Sequence, residues 1–569
     1  MKKFIIILSV LLLGCSNNDS LKLEKIIQEF ETNVSYDSKE FPIGVYTKEY
    51  YKSESDYAKE KLNELNYIDQ TSLTDNEQIS YELLKFVLNE KVDFYKYERF
   101  LNPLLSDSGF HINLGFFVRP ITNYNQAKNY LDKLNAIPKF VDQNIKNLRE
   151  GLEKGVSQPL VIFNGYESSY NMHITNSFIN NFFYSPFKNL PKSINNERKD
   201  SIVNEGKLAV EKIVIPQFKR IKKFFEDEYY PQTRTTIGVS NIPKGRDFYQ
   251  NRINYYTTSE EYTSEEIHQI GLNEVSRIKS EMFDIIESLN FEGSFSDFLN
   301  FLRTDKQFYA KSAEELLMRA RDIAKRADEQ LPKFFKTLPR KPYGVAPVPE
   351  SIAPKYTAGR YVGTSKNSTN PGYYWVNTYN LSSRTLYTLP SLTVHEAVPG
   401  HHLQGSLNNE LGDSIPSFRK NLYLSAYGEG WGLYTEFLAN DMGLYTSPYE
   451  EFGKLTYEMW RACRLVVDTG LHSKGWSKEE AIEYMASNTA LSLHEINTET
   501  DRYISWPGQA LSYKIGELKI RSLREKAQNA LGEQFDIRDF HEVILGQGTV
   551  TLSILEKRIN KYIEENKTF

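Results

Sequence analysis

The sequence is short of cysteine, of long apolar runs and of any large excess of one charge. Two cysteines among 569 residues exclude a disulfide framework. A mean hydropathy of −0.52 and one long apolar run exclude a multi-span membrane protein. Because 31 Gly and 22 Pro are ordinary numbers and aromatics make up 13%, neither a collagen-like fibre nor a disordered chain fits. A net charge of −5 indicates no strong basic face, so no nucleic-acid partner is expected.

The single long apolar run lies at the N-terminus, from Phe4 to Leu13, after two lysines. It is shorter than the ~20 residues that a membrane span needs, and its flanks are typical of a secretory signal. Leu12-Leu13-Gly14-Cys15 also resembles a bacterial lipobox, in which the cysteine is lipidated. We predict a signal peptide over 1–14, a lipidated Cys15 with its tether over 15–20, and an exported lipoprotein anchored in a membrane, facing the periplasm or the cell surface. The alternative is an ordinary signal peptide that contains a cysteine.

The remaining chain has a mainly helical pattern. Capping boxes that begin at Thr263 and Ser477 predict two helix starts, and Gly470 is a predicted helix end. Gly372–Tyr379 is aromatic and β-branched, which is typical of a strand. We predict a mainly α fold with a small β-sheet near residue 375.

The predicted domain boundary depends on the segment Pro339–Pro354, which is rich in proline and indicates a long loop. We place a helical N-terminal region at 21–340 and a catalytic region at 341–569. The alternative is one continuous domain. The cysteine within the second region, Cys463, lies in a helical-looking stretch and is expected to be a buried apolar residue rather than a nucleophile.

Three of the nine histidines fall within the eight residues from His395 to His402. In the HExxH zinc motif, histidines at i and i+4 share a helix face and the glutamate is the general base. Here the second histidine is His401 or His402, at i+6 or i+7, which a regular helix would hold roughly 9–10.5 Å along the axis from His395. Pro399 and Gly400 are therefore expected to bulge the helix and bring His401 back, with His402 as the competing assignment.

A catalytic zinc needs a third protein ligand and an open position. Glu429 lies among three glycines, 428, 430 and 432. Because glycine destabilises a helix interior, so many glycines would be explained by a close approach of this helix to the His395 helix. Glu436 is seven residues further on the same helical face. One of these two carboxylates could bind the metal while the other orients a histidine.

HEAVPGHHLQ, GEGWGLYTE, RLVVDTGLH and WPGQALSYKIG together resemble the bacterial lipoprotein family called domain of unknown function 885, which is grouped with gluzincin zinc metallopeptidases. The resemblance implies a zincin-like body, one Zn²⁺ ion, His395, His401 and Glu429 as its ligands, and Glu396 as the base. In gluzincins a strand before the metal helix pairs with an extended substrate, which makes Asn377 a candidate substrate contact.

Three further residues are candidates for the reaction or for substrate binding. Tyr513 could donate a hydrogen bond to the oxyanion or could be a packed aromatic residue. Arg502 is either a clamp for a substrate carboxylate or a salt bridge with Glu499 at i−3. His472 could be an oxyanion donor, a group that orients a ligand, or a hydrogen-bonded structural histidine.

The expected function is a zinc metallopeptidase that acts on short peptides. One alternative is a metal-dependent amidohydrolase for a small non-peptide amide or ester. The other is a lipid-anchored binding protein with a structural metal, although Glu396 argues against it because a structural zinc has no use for a base.

Overall fold

The computed structural model describes residues 18–350, 352–365 and 368–567. The predicted signal peptide and Cys15 lie outside these residues. Within the described ranges, no helix combines the length and the apolar character that a bilayer span requires.

The chain before the sheet is almost entirely helical. Its α-helices are α1 (Asn18–Thr32), α2 (Lys48–Leu65), α3 (Asp75–Lys96), α4 (Phe110–Asn113), α5 (Tyr124–Glu153), α6 (Ser168–Asn171), α7 (Asn196–Ala209), α8 (Ile215–Lys223), α9 (Gly245–Thr257), α10 (Ser264–Ser288), α11 (Phe295–Thr304) and α12 (Ala313–Phe334).

The predicted small sheet is confirmed and has three strands, β1 (Tyr343–Pro347), β2 (Gly359–Val362) and β3 (Gly372–Val376). The strand order is β1-β3-β2, with β1 parallel and β2 antiparallel to β3. The expectation of a loop throughout Pro339–Pro354 is wrong, because β1 lies inside it. The strand is at a sheet edge and its proline, Pro347, is its last residue, so the missing N–H does not interrupt a central ladder.

The chain after the sheet is helical again. It comprises α13 (Leu389–Glu396), α14 (His401–Asn409), α15 (Ser417–Lys420), α16 (Ser425–Asp441), α17 (Pro448–Ser473), α18 (Lys478–Asn488), α19 (Leu493–Ser505), α20 (Ser512–Leu531), α21 (Ile537–Leu545) and α22 (Leu552–Asn566). The fold is therefore mainly α with a small sheet, as predicted.

Local capping chemistry sets the predicted helix starts. Thr263 and Ser477 each accept a hydrogen bond from the glutamate three residues on, and that glutamate bonds back to the cap. Gly470 does not end α17, which continues to Ser473. A Cβ at Gly470 would lie 2.5 Å from the Trp476 ring, so this glycine permits a close contact rather than a helix end.

Two large apolar cores hold the helices together. One contains side chains from residues 104–308 and from 387–510, and the other from 79–335 and 394–563. Both predicted regions therefore contribute to the same cores, while the division at residue 340 stays a prediction. Helix α17 packs along α10, and α16 packs along α20. Cys463 is fully buried in the first core, as expected.

Candidate metal centre

The histidine segment is divided between two helices. Helix α13 ends at Glu396 and α14 begins at His401, with the Val398–Pro399 peptide in the cis form between them. The expected bulge within one helix is therefore a complete break. The Gly400 N–H donates to the carbonyl of Val394 at 2.9 Å, and a Cβ at Gly400 would lie 1.9 Å from the carbonyl oxygen of His395. Only glycine lets the chain turn back this closely.

The break brings two imidazoles and a carboxylate from α16 together. Glu429 Oε2 lies 3.5 Å from His395 Nε2 and 3.4 Å from His401 Nε2. All three donor atoms lie within 4.8 Å of one another. Donors at 2.0–2.1 Å around a tetrahedral zinc are roughly 3.4 Å apart, so the two distances from Glu429 to the histidines match the ligand spacing around one ion. We call His395, His401 and Glu429 the metal cluster.

The electrostatics of the metal cluster suit a cation. Burial opposes the charge of His395, but Glu429 and Glu436 outweigh it and raise the pKa of His395 to about 10. Burial also opposes the charge of Glu429, yet His401 and His395 hold its pKa well below its usual value. The carboxylates thus favour a positive charge between them, which a divalent ion supplies when the imidazoles are neutral.

Helix α16 positions His395 from two sides. Glu436, 1% exposed, has Oε1 at 2.8 Å from His395 Nδ1, which leaves Nε2 directed at Glu429. Glu436 therefore orients a ligand, and Glu429 is the carboxylate in the cluster. A Cβ at Gly432 would lie 2.7 Å from His395 Nε2. The predicted close approach to the His395 helix is confirmed at this glycine.

The other two glycines of α16 serve different contacts. A Cβ at Gly430 would lie 2.6 Å from the backbone of Gly516 in α20, and one at Gly428 would lie 2.5 Å from the Tyr423 ring. Sequence reasoning missed Trp431, which is fully buried and donates its indole N–H to the Pro399 carbonyl at 2.9 Å. The helix that carries Glu429 thus also holds the break that places His401.

His402, the competing ligand, lies outside the metal cluster. Its Nδ1 is 3.1 Å from the Tyr361 hydroxyl and 3.3 Å from Ser406 Oγ, and it is 1% exposed. Burial lowers the pKa of His402 to about 4. The structure thus brings His401, and not His402, to Glu429.

The candidate base Glu396 is held by the edge of the sheet. The backbone N–H of Tyr361, in β2, donates to Glu396 Oε2 at 2.8 Å. Its position directly after His395, at the end of α13, keeps this carboxylate beside the metal cluster. The charge of Glu396 is also one of the groups that raise the pKa of His395.

Tyr423 is a further residue at the site that sequence reasoning missed. Its hydroxyl donates to Glu429 Oε1 at 2.8 Å. Although 55% of Tyr423 is exposed, burial is the main cause that raises the pKa of its hydroxyl, and Glu429 and Tyr513 add to it. Tyr423 is therefore an exposed side chain that contacts a residue of the metal cluster. The only signal for it is a tyrosine shortly before the glycine-rich segment, which is too weak to use.

Tyr513 lies near Tyr423 and next to Arg502. The Arg464 guanidinium carbon is 4.3 Å from the Tyr513 ring centroid. Arg502 lies 3.3 Å from Glu499 Oε2, the salt bridge that the i−3 spacing predicts, and donates to Gln509 Oε1 at 2.6 Å. Their roles in catalysis and in substrate binding stay predictions.

Two residues that the sequence suggested as site residues form hydrogen bonds inside the fold instead. Asn377 is fully buried, and its amide donates to the carbonyls of Ala353, Tyr356 and Thr357. It follows β3, the central strand, whose two edges are already paired, so neither Asn377 nor β3 can take a substrate strand. That expectation is corrected.

His472 is likewise fully buried, and its hydrogen bonds go to groups outside the metal cluster. Its Nδ1 accepts from the Val239 N–H at 3.2 Å, and its Nε2 lies 2.9 Å from the Tyr503 carbonyl. Burial lowers the pKa of His472 to about 4. Both ring nitrogens bond to the backbone, so the structural alternative for His472 holds and the oxyanion role does not.

Comparison with known proteins gives a family and a fold. The family described as "Bacterial protein of unknown function (DUF885)" matches residues 32–559. A crystal structure of a "putative lipoprotein" from Colwellia psychrerythraea is similar at 28% identity and a TM-score of 0.85, covering 96% of each chain. A "putative lipoprotein of unknown function" from Shewanella oneidensis is similar at 17% identity and a TM-score of 0.70, covering 95% of this chain and 97% of that one. No curated protein matches.

Proposed function

This chain belongs to the DUF885 family, and we propose that it is a zinc-dependent hydrolase, most simply a peptidase for short peptides. The observation that carries the proposal is the convergence of His395, His401 and Glu429 within 4.8 Å, with Glu396 held next to them by the Tyr361 N–H at 2.8 Å. Two histidines and one carboxylate are the protein ligands of several catalytic zinc sites. The zincin-like character of the body is part of the same proposal.

The donor set suits zinc chemistry, and Glu396 supplies a general base, which a structural metal site would not need. Zinc held here would supply a Lewis acid that activates water and polarises a carbonyl. Glu396 takes a proton from the attacking water and passes it to the leaving amine. Glu436 keeps the His395 ring in one orientation throughout, because its carboxylate accepts from Nδ1.

The surroundings favour a short substrate over a folded protein. Tyr423 is exposed beside the metal cluster, and its hydroxyl donates to Glu429 on the side away from the histidines. The N–H of Tyr361 at the free edge of β2 already bonds to the base, so β2 is the strand that lies closest to the reaction. The side chains of the metal cluster are only 5–18% exposed, so an extended segment of a few residues can reach them more easily than a packed domain can.

Export supports the same proposal. A similar protein is described as a "putative lipoprotein", and the lipobox-like segment of this chain ends at Cys15. We propose that Cys15 carries a lipid that holds the enzyme at a membrane. Mass spectrometry of membrane-extracted protein should find the lipid on Cys15 and lose it in Cys15→Ala. Unmodified Cys15 in a membrane-free protein would contradict the anchor.

The test of the hydrolase compares Glu396→Gln with Glu410→Gln. Both carboxylates accept a backbone N–H, from Tyr361 at 2.8 Å and from Arg340 at 2.9 Å respectively, but only Glu396 adjoins the metal cluster. Zinc content and cleavage of a short-peptide library are measured for both. We expect full zinc in each, at least a hundredfold loss of turnover in Glu396→Gln, and none in Glu410→Gln.

Two results would contradict the peptidase proposal. If the zinc-loaded wild type cleaves no peptide but hydrolyses small amides or esters, the enzyme is an amidohydrolase. If Glu396→Gln turns over substrate as fast as the wild type, Glu396 is not the base.

A further inference from the structure

A group of arginines and aromatic rings lies on α17, α19 and α20. Arg461 and Arg464 both stack on Trp460, with guanidinium carbons 4.4 and 4.3 Å from the ring centroid. The ring of Tyr513 lies 4.3 Å from the guanidinium carbon of Arg464. Such stacking fixes the planes of the guanidinium groups and leaves their edges to form hydrogen bonds.

One contact connects this arginine group with the metal cluster. Arg461 Nη2 lies 3.7 Å from Glu436 Oε1, the atom that bonds to His395. Arg464 shares the Trp460 ring with Arg461, and Arg502 shares the Glu499 carboxylate with Arg464. The arginine group therefore begins beside the residue that orients a metal ligand.

Among the described residues, two buried guanidinium nitrogens of this arginine group lack a protein partner. Arg464, 2% exposed, donates from Nε to the Tyr503 hydroxyl at 2.8 Å and from Nη2 to Glu499 at 2.9 Å. Its Nη1 has no hydrogen-bond partner in the part of the chain that the structure describes, and the same holds for Nε of Arg461, which is 6% exposed. Buried charged donors are normally satisfied, so an acceptor from a ligand is expected here.

The local charge indicates what that acceptor is. Four guanidinium groups, those of Arg384, Arg461, Arg464 and Arg502, lie near three carboxylates, those of Glu436, Glu495 and Glu499. Burial and the neighbouring Glu499 also raise the pKa of Glu495 to about 7, so it is partly neutral near that pH. A positive excess remains, and it favours an anionic acceptor whose shape matches a guanidinium edge, such as a carboxylate.

We propose that Arg464, flanked by Arg461 and Arg502, forms a subsite that binds a carboxylate of the substrate next to the metal cluster. The proposal rests on the proposed hydrolase function and narrows its substrates to short peptides that carry a carboxylate, either at the C-terminus or on an acidic side chain. Arg502, whose side chain is 20% exposed, gives this subsite its access to solvent.

The test measures binding rather than turnover. Zinc-loaded Glu396→Gln protein is titrated calorimetrically with three probes: N-acetyl-trialanine, its C-terminal amide, and the same amide with glutamate in place of the last alanine. At least one carboxylate probe should bind ten or more times tighter than the neutral amide, as a hydrogen bond between charged groups implies. The free acid and the glutamate amide then distinguish the two sources of the carboxylate.

Substitutions test whether the arginines cause the preference for a carboxylate probe. Arg464→Lys, and separately the more exposed Arg502→Gln, should each reduce the preference to under threefold. Arg524→Gln is the matched control, because Arg524 also pairs with a carboxylate, that of Asp441 at 2.7 Å, and also lies over an aromatic ring, but outside the subsite. It should keep the full preference.

Equal binding of all three probes, or no binding of any, would overturn the subsite. So would a preference that survives both arginine substitutions. The hydrolase proposal is tested apart from this one: cleavage of neutral peptides without a carboxylate preference rejects only the subsite, whereas arginine-dependent binding without any turnover rejects only the hydrolase.

Discussion

Replacing Gly432 with alanine should separate metal binding from folding. The added Cβ would lie 2.6 Å from Cε1 and 2.7 Å from Nε2 of His395. Ordinary contacts of a carbon atom are about 3.5–4.0 Å, so the ring must move by about 0.8 Å or more. The ring cannot swing freely, because His395 is 4% exposed and its Nδ1 is held by Glu436 at 2.8 Å.

That displacement exceeds what a metal bond tolerates. Ligand distances in protein sites vary by only about 0.2 Å, so Gly432→Ala should remove His395 from the coordination sphere. Loss of a residue that orients a metal ligand weakens metal binding ~10–100-fold, and zinc affinity should fall by at least as much here. Folding should be less affected, because the ~1 kcal/mol that favours alanine over glycine inside a helix offsets part of the ~1–3 kcal/mol that overpacking a buried site costs.

The assay is chelator competition for zinc, with the melting temperature measured by calorimetry in excess chelator. Gly405→Ala is the matched control, since Gly405 is also within a helix, α14, and its Cβ would meet nothing closer than the Tyr361 ring at 3.7 Å. The control should keep wild-type zinc affinity. A Gly432→Ala protein that binds zinc within threefold of wild type would refute the reasoning.

Four other substitutions test separate parts of the site and fold. Glu436→Gln should weaken zinc binding about 10–100-fold in the same competition assay, because the His395 ring loses its orienting carboxylate; unchanged affinity would count against that role. His401→Ala should lose zinc and His402→Ala should retain it by elemental analysis, and the reverse pattern would show the assignment to be wrong. Burial raises the pKa of Asp468 from 3.8 to about 7, so the folded protein keeps a proton that the unfolded chain releases, and stability should fall as pH rises from about 4 to 7. Asp468→Asn should flatten that part of the melting-temperature profile, and a slope equal to wild type would refute it.

Features encoded over a few residues could be predicted from the sequence. Capping boxes at Thr263 and Ser477 set helix starts through contacts three residues apart, and the structure has both. The Pro399–Gly400 pair indicated that the chain departs from a straight helix before His401. Whether this produces a bulge or a complete break depends on contacts with Trp431, which the local sequence does not encode.

Features that depend on long-range packing could not be predicted. Asparagine is a residue type usually found at the surface. Asn377 is nevertheless surrounded by three carbonyls of residues 353–357, because it follows the central strand β3. Nothing near Tyr423 in the sequence says that its hydroxyl meets Glu429, because the bend before α16 brings them together. Gly470 satisfied the local rule for a helix end, but its contact with Trp476 decided its role.

The central claim is that His395, His401 and Glu429 hold one metal ion. Anomalous diffraction at the zinc edge, on crystals of zinc-loaded protein, tests it most directly. We predict one peak bonded to His395 Nε2, His401 Nε2 and a Glu429 carboxylate oxygen at about 2.0–2.2 Å. No peak there at full zinc loading, or a peak bonded to His402 in place of His401, would contradict the claim.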